Sequence, residues 1–147
     1  MQELPGSVLF ACSHNAIRSP MAEALLKYLH ARRIYVQSAG VHPGEIDPFV
    51  VLVMDEIGLN LTRHRPRRFD ELEDDYFDLV ISLSPEAQHR AVELTRDRAT
   101  ELEFWPTPDP SWTTGSREQI LEAYRHVRDS MLQRIRHRFP STGAPGS

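Results

Sequence analysis

Val8-Leu9-Phe10-Ala11-Cys12-Ser13-His14-Asn15-Ala16-Ile17-Arg18-Ser19-Pro20 is the stretch on which the fold turns. Its opening run, Val8 to Ala11, is apolar without interruption, the pattern of a strand buried on both faces. A short polar loop follows. Pro20 then opens a helix to Ala31 that sets Met21, Ala24, Leu25, Tyr28 and Leu29 on one face. A strand that passes directly into a helix is the opening half of a parallel strand-helix-strand unit.

The same alternation continues outward. Ile34 to Gln37 reads as a second strand. Asp47-Pro48 supplies an N-cap and a first helical residue, and Gly58 stops that helix. Leu79 to Leu83 is the third strand, Ser84-Pro85 opens the next helix, and Leu102 to Trp105 is the fourth strand. Ser116 with Gln119 makes a capping box for a last helix that carries Ile120, Tyr124, Val127, Met131 and Ile135. The expected fold is therefore α/β in three layers, a four-stranded parallel sheet with helices on both faces.

Strand order follows from burial. Val8–Ala11 and most of Leu79–Leu83 are continuously apolar and belong in the centre, whereas Ile34-Tyr35-Val36-Gln37 and Glu101-Leu102-Glu103-Phe104 alternate as edges do. The order is then 2-1-3-4. Ligands of such sheets bind at the switch point beyond the carboxyl end of strand one. Cys12 stands there.

The chain of 147 residues, 40% hydrophobic and 26% charged, fits a single domain over 1–139. Residues 140–147, Pro-Ser-Thr-Gly-Ala-Pro-Gly-Ser, have the composition of a disordered tail. A formal charge of -4 argues against a nucleic-acid partner. A single cysteine excludes an internal disulfide framework. Met1 to Gly6 lacks the basic and apolar regions of a signal peptide, and no apolar run approaches the roughly 20 residues that span a bilayer. Cytoplasmic residence without membrane attachment is the expectation. The run Arg63-His64-Arg65-Pro66-Arg67-Arg68 precedes an acidic stretch, Asp70 to Asp75, and the two read as a mutually compensating surface.

The loop Ser13, His14, Asn15, Ala16, Ile17, Arg18 leads into a helix N-terminus, so successive backbone N–H groups can turn inward as an anion cradle. Arg18 can close the ring with a bidentate fork to two phosphate oxygens. The same dipoles and charge favour a nucleophilic thiolate at Cys12. Ser19 can cap the helix and give its hydroxyl to the sulfur. A buried structural cysteine beside a surface arginine is the alternative that spacing alone leaves open. Transfer of a phosphoryl group to sulfur also needs an acid for the departing oxygen. Asp109, between Pro108 and Pro110, is the candidate, with an ordinary Asp-Pro turn as the alternative.

Val8 to Cys12, Asn15, Arg18-Ser19-Pro20-Met21-Ala22-Glu23-Ala24, Ser38-Ala39-Gly40 and Thr107-Pro108-Asp109-Pro110 together resemble the low-molecular-weight protein tyrosine phosphatase family, which includes thioredoxin-coupled arsenate reductases. The resemblance implies Cys12 as nucleophile, Arg18 as phosphate clamp, Asp109 as general acid, Asn15 and Ser19 as loop supports, and His42 and Trp112 as pocket walls. It implies a metal-independent phosphomonoester hydrolase acting through a phosphocysteine, with a phosphorylated protein or small phosphomonoester as substrate and no cofactor. His14 stands where the family usually has glycine, Ile17 where many members carry a second cysteine, and Ser111 where phosphatases often have tyrosine. The thioredoxin-coupled mechanism needs two further cysteines, and Ser84 and the 88–90 region hold none. A single-cysteine arsenate reductase that draws on an external small thiol or thiol protein remains the second reading. A phosphate-sensing module is the third, and Asp109 counts against it, since a binder needs no acid. Oligomeric state is left open.

Overall fold

A computed structural model describes residues 4–140. The expected tail lies outside the described residues apart from Pro140. The strands are β1 (Ser7–Cys12), β2 (Tyr35–Gly40), β3 (Leu79–Ser82) and β4 (Glu101–Phe104). The helices are α1 (Arg18–His30), α2 (Pro48–Asp55), α3 (Pro85–Thr95) and α4 (Arg117–Arg138). All strand pairs are parallel, and the order is β2-β1-β3-β4.

The start signals at Asp47, Ser84 and Ser116 do their work. Asp47 accepts from the N–H groups of Phe49 and Val50 at 2.7 and 3.3 Å. Ser84 Oγ accepts from Ala87 N at 3.2 Å. Ser116 and Gln119 exchange reciprocal bonds of 3.1 and 2.8 Å. Past α2, Gly58 takes a positive φ of 81°, a conformation in which a side chain would be strained.

One face of the sheet packs Val8, Phe10, Leu79 and Ile81 against α1 and α4, with Val50, Val53 and Met54 of α2 in the same core. The other face sets Leu9 and Val80 under Ala91 of α3. Central strands β1 and β3 are therefore covered on both sides, as their composition requires.

Two local expectations shift. Helix α1 begins at Arg18 rather than Pro20, because a proline in the first turn forfeits no intrahelical bond. Its buried band contains Met21, Ala22, Leu25 and Leu26, while Tyr28 is exposed. Contact with α4 as well as with the sheet turns the helix away from the expected stripe. Strand β2 runs on to Gly40, since Ser38, Ala39 and Gly40 pair with Phe10, Ala11 and Cys12. Gly40 N also donates to Arg67 O at 2.8 Å, so the 64–68 segment covers what would otherwise be the open end of an edge strand.

Candidate active site

Strand β1 delivers Cys12 to the carboxyl edge of the sheet, and α1 begins at Arg18. The chain reverses between them at Asn15, whose φ is 51° and which is the one non-glycine with positive φ among the described residues. Asparagine tolerates this conformation better than other side chains. His14 does not carry the positive φ. Gly40 is indispensable to the loop instead. A Cβ there would lie 2.6 Å from Asn15 N and 2.8 Å from His14 C.

Cys12 is 2% exposed. Its sulfur stands 2.9 Å from Ser19 Oγ and receives Asn15 N–H at 3.2 Å. Asn15 Nδ2 donates to the same Ser19 Oγ at 2.7 Å, and a hydroxyl that accepts that bond still has its proton to give to the sulfur. Ser19 therefore does not cap α1. Ile17 holds the N-cap position and makes no side-chain cap bond, and Ser19 already lies within the first turn.

Asn15 is the hub of a buried network. Its other Nδ2 proton goes to Ser38 Oγ at 2.9 Å, and Ser38 donates to Glu23 Oε1 at 2.5 Å. Lys27 closes on Glu23 Oε2 at 2.5 Å. Asn15 Oδ1 accepts from Arg67 N at 3.1 Å, and His64 Nε2 lies 3.2 Å from both Asn15 O and Oδ1. Both oxygens can only accept, so His64 carries its proton on Nε2. Burial pushes the His64 pKa below its ordinary value, against the opposing pull of Glu23. Fully satisfied networks of this kind hold a loop in one conformation.

Arg18 reaches across the sheet. One NH group donates to Thr107 O at 3.0 Å, and the other stands 3.9 Å from Asp109 Oδ2, with both side chains largely shielded. Asp109 Oδ1 accepts from Ser111 N at 2.9 Å and Ser111 Oγ at 2.6 Å. On the far side of the loop, Asp47 N donates to Ala16 O at 3.2 Å, and the Tyr124 phenol donates to Asp47 Oδ2 at 2.9 Å. Burial and that bond raise the Tyr124 pKa well above its usual range. Ser13 Oγ donates to Ser84 Oγ at 3.0 Å and so ties the loop to the start of α3.

The structure thus brings Cys12, Asn15, Arg18, Ser19 and Asp109 together, with Ala16 and Ile17 buried between them. His14 and His42 lie outside this cluster. His14 is exposed and donates from Nδ1 to His42 O at 2.9 Å, while His42 pairs with Glu86 at 3.1 Å. Trp112 is 84% exposed, three residues beyond Asp109. Among the described residues no group of three or more His, Cys, Asp or Glu can hold a metal ion, and no helix is long and apolar enough to cross a membrane.

Sequence reasoning missed Glu23, Ser38, His64, Arg67 and the contact of Ser111 with Asp109. Glu23 and Ser38 fell within quoted motifs, and their polarity between apolar neighbours was the available signal. His64 and Arg67 were assigned to a solvated basic surface. Arg68 does meet Asp70 at 3.1 Å, but Arg67 binds Ser38 O at 3.1 Å and Gln37 beneath the loop. That part of the run is an internal brace.

Comparison with known proteins finds relatives along nearly the whole chain. The glutaredoxin arsenate reductase of Synechocystis is 31% identical over 130 residues, 87% of this chain and 92% of that protein. The arsenate reductase of Bacillus subtilis is 28% identical over 136 residues, 92% of this chain and 96% of its own length. A solved arsenate reductase in its phosphate-binding state superposes with a TM-score of 0.74 at 29% identity, covering 89% of this chain and 94% of that one. The tyrosine phosphatase of Erwinia amylovora shares the fold, with a TM-score of 0.72 at 21% identity over 94% of this chain and 95% of its own. The family model for low molecular weight phosphotyrosine protein phosphatase matches residues 7–141, nearly the whole sequence, and the chain belongs to that family.

Proposed function

We propose that this protein is a metal-independent phosphomonoester hydrolase that works through a phosphocysteine. The observation that carries the reading is one loop that holds a buried thiol at its start and, at its end, an arginine facing a carboxyl. Cys12 Sγ receives Asn15 N–H and lies 2.9 Å from Ser19 Oγ, and Arg18 stands 3.9 Å from Asp109.

The thiolate of Cys12 attacks phosphorus in line with the leaving oxygen, forming an S–P bond as the P–O bond breaks. Arg18 keeps donors free beyond its bond to Thr107 O, and with the N–H groups of residues 13–18 it holds the non-bridging oxygens. Asp109 gives its proton to the departing alkoxide or phenoxide. As a carboxylate it then takes a proton from the water that attacks phosphorus, and the S–P bond breaks to return the thiolate. Ser19 and Asn15 stabilise the sulfur anion at both ends of the cycle. The lone cysteine suits a reducing compartment, so cytosolic residence accompanies this reading.

Hydrolysis of an aryl phosphate at mildly acidic pH, without metal, tests the reading on wild type, Cys12→Ser and Asp109→Ala. Turnover by the wild type, none by the serine variant and strong slowing by the alanine variant are expected. A folded but inactive wild type would refute it.

A second reading is favoured by the arsenate reductases among its relatives. Reduction of arsenate to arsenite takes two electrons, and this chain has one cysteine. Cys12 would attack arsenic and displace water to form the arsenate adduct, and an external thiol would then attack its sulfur, releasing arsenite and leaving a mixed disulfide for a second external thiol to reduce. Arsenite formation with added small thiols, in the absence of aryl phosphate turnover, would select this reading.

A further inference from the structure

We propose that Ser111 is a positioning residue for Asp109: it fixes the carboxyl so that the transferable proton sits on Oδ2, the oxygen turned towards Arg18. This inference rests on the phosphatase reading above.

The two oxygens of Asp109 are not equivalent. Oδ1 accepts both the backbone N–H of Ser111, at 2.9 Å, and its hydroxyl, at 2.6 Å. Oδ2 faces Arg18 NH2 at 3.9 Å, beyond hydrogen-bond length. A backbone N–H can only donate, so a proton placed on Oδ1 would meet it head on. The acid form therefore carries its proton on Oδ2.

Pro108 and Pro110 restrict the backbone on either side of Asp109, but they leave the carboxyl torsion free. Proline has no N–H, so Pro110 offers Asp109 no donor, and Ser111 provides the next one along the chain. The hydroxyl adds to that N–H a second anchor on the same oxygen, which holds the carboxyl plane. The Tyr124 phenol is not a competing anchor, because its proton is committed to Asp47 at 2.9 Å.

The hydroxyl also favours transfer of the proton. As Asp109 gives up its proton to the leaving oxygen, negative charge develops on the carboxylate. Hydrogen bonds to a carboxylate are stronger than those to a neutral acid, so the Ser111 bonds strengthen along the reaction coordinate. Their worth should then grow as the leaving group becomes more basic and needs its proton more.

The test compares kcat/KM, which reports the chemistry through cysteine phosphorylation, for phenyl phosphate and 4-nitrophenyl phosphate. Phenoxide is the poorer leaving group and depends more on the acid. Ser111→Ala is expected to slow phenyl phosphate by about five- to tenfold and 4-nitrophenyl phosphate by about twofold or less, as loss of one hydrogen bond to a developing charge implies. Ser111→Thr, which keeps the hydroxyl, should recover most of the loss. In an Asp109→Asn background, which has no proton to deliver, Ser111→Ala should change neither rate further. Ser111 is exposed, so the substitution leaves the core untouched.

Equal slowing of both substrates by Ser111→Ala, or slowing that persists in the Asp109→Asn background, would overturn the role of Ser111 alone. A folded wild type that hydrolyses neither ester would overturn the phosphatase reading, and the role of Ser111 with it.

Discussion

Gly40→Ala tests how tightly the cradle is held from below. Strand β2 ends where it passes beneath the 12–18 loop, and Gly40 pairs there with Cys12. An added Cβ would stand 2.6 Å from Asn15 N, whereas ordinary contact begins at 3.4 Å, a deficit of about 0.8 Å. The same atom would meet His14 C at 2.8 Å and Asn15 Cβ at 3.0 Å. Most of these neighbours belong to the main chain, so no rotamer change relieves the clash. The loop must rise. Asn15 N–H already spans 3.2 Å to Cys12 Sγ, and a displacement approaching 0.8 Å would break or badly misdirect that bond. Overpacking of this kind costs about 1–3 kcal/mol of stability. Misplacement of reacting groups by close to 1 Å costs on the order of 100-fold in rate. Urea unfolding and aryl phosphate kinetics on the purified variant measure the two effects. Two other glycines provide controls. An alanine at position 44 meets only His14 Cβ at 3.9 Å and should be neutral in both assays. At position 58, with φ at 81° and open space around it, alanine should lower stability by about 1 kcal/mol and leave the kinetics alone. Wild-type stability and turnover in Gly40→Ala would refute the reasoning.

Two further predictions concern pH. Burial lowers the folded-state pKa of His64, so the unfolded chain binds the proton first and stability falls as pH drops below about 6.5; His64→Gln should flatten that slope in urea melts, and an unchanged slope would contradict it. Glu56 is held below its ordinary value, chiefly by its hydrogen bonds to Arg125 and Arg128, so its contribution is present above the unfolded-state pKa and is lost as pH falls through the folded one. Glu56→Gln should therefore remove a small part of the acid-side slope, below about pH 4.5, and high salt should shrink the difference in wild type because the pair lies at the surface. Identical acid unfolding of variant and wild type would count against that pairing.

Local chemistry decided much of this protein from the sequence alone. Val8–Ala11 and Leu79–Ile81 are apolar on both faces, which places them in the centre of the sheet, and the order β2-β1-β3-β4 follows. Asp47, Ser84 and Ser116 start helices through bonds that span only two or three residues, so their roles are readable wherever they occur. The position of Cys12 after a central strand, with Arg18 at the next helix, follows from the same alternation. What the linear pattern did not carry is the set of contacts between distant segments. Nothing in the run 63–68 marks His64 and Arg67 as braces for Asn15, because charge clusters look alike whether solvated or folded inward. The need for glycine at position 40 arises from the close passage of β2 beneath a loop far from it in sequence, not from its own backbone angles. Ser111 read as a missing tyrosine, and its bond to Asp109 depends on how the carboxyl turns. Arg18 and Asp109 meet only because parallel strands bring every carboxyl end to one edge of the sheet, where residues without any shared periodicity become neighbours.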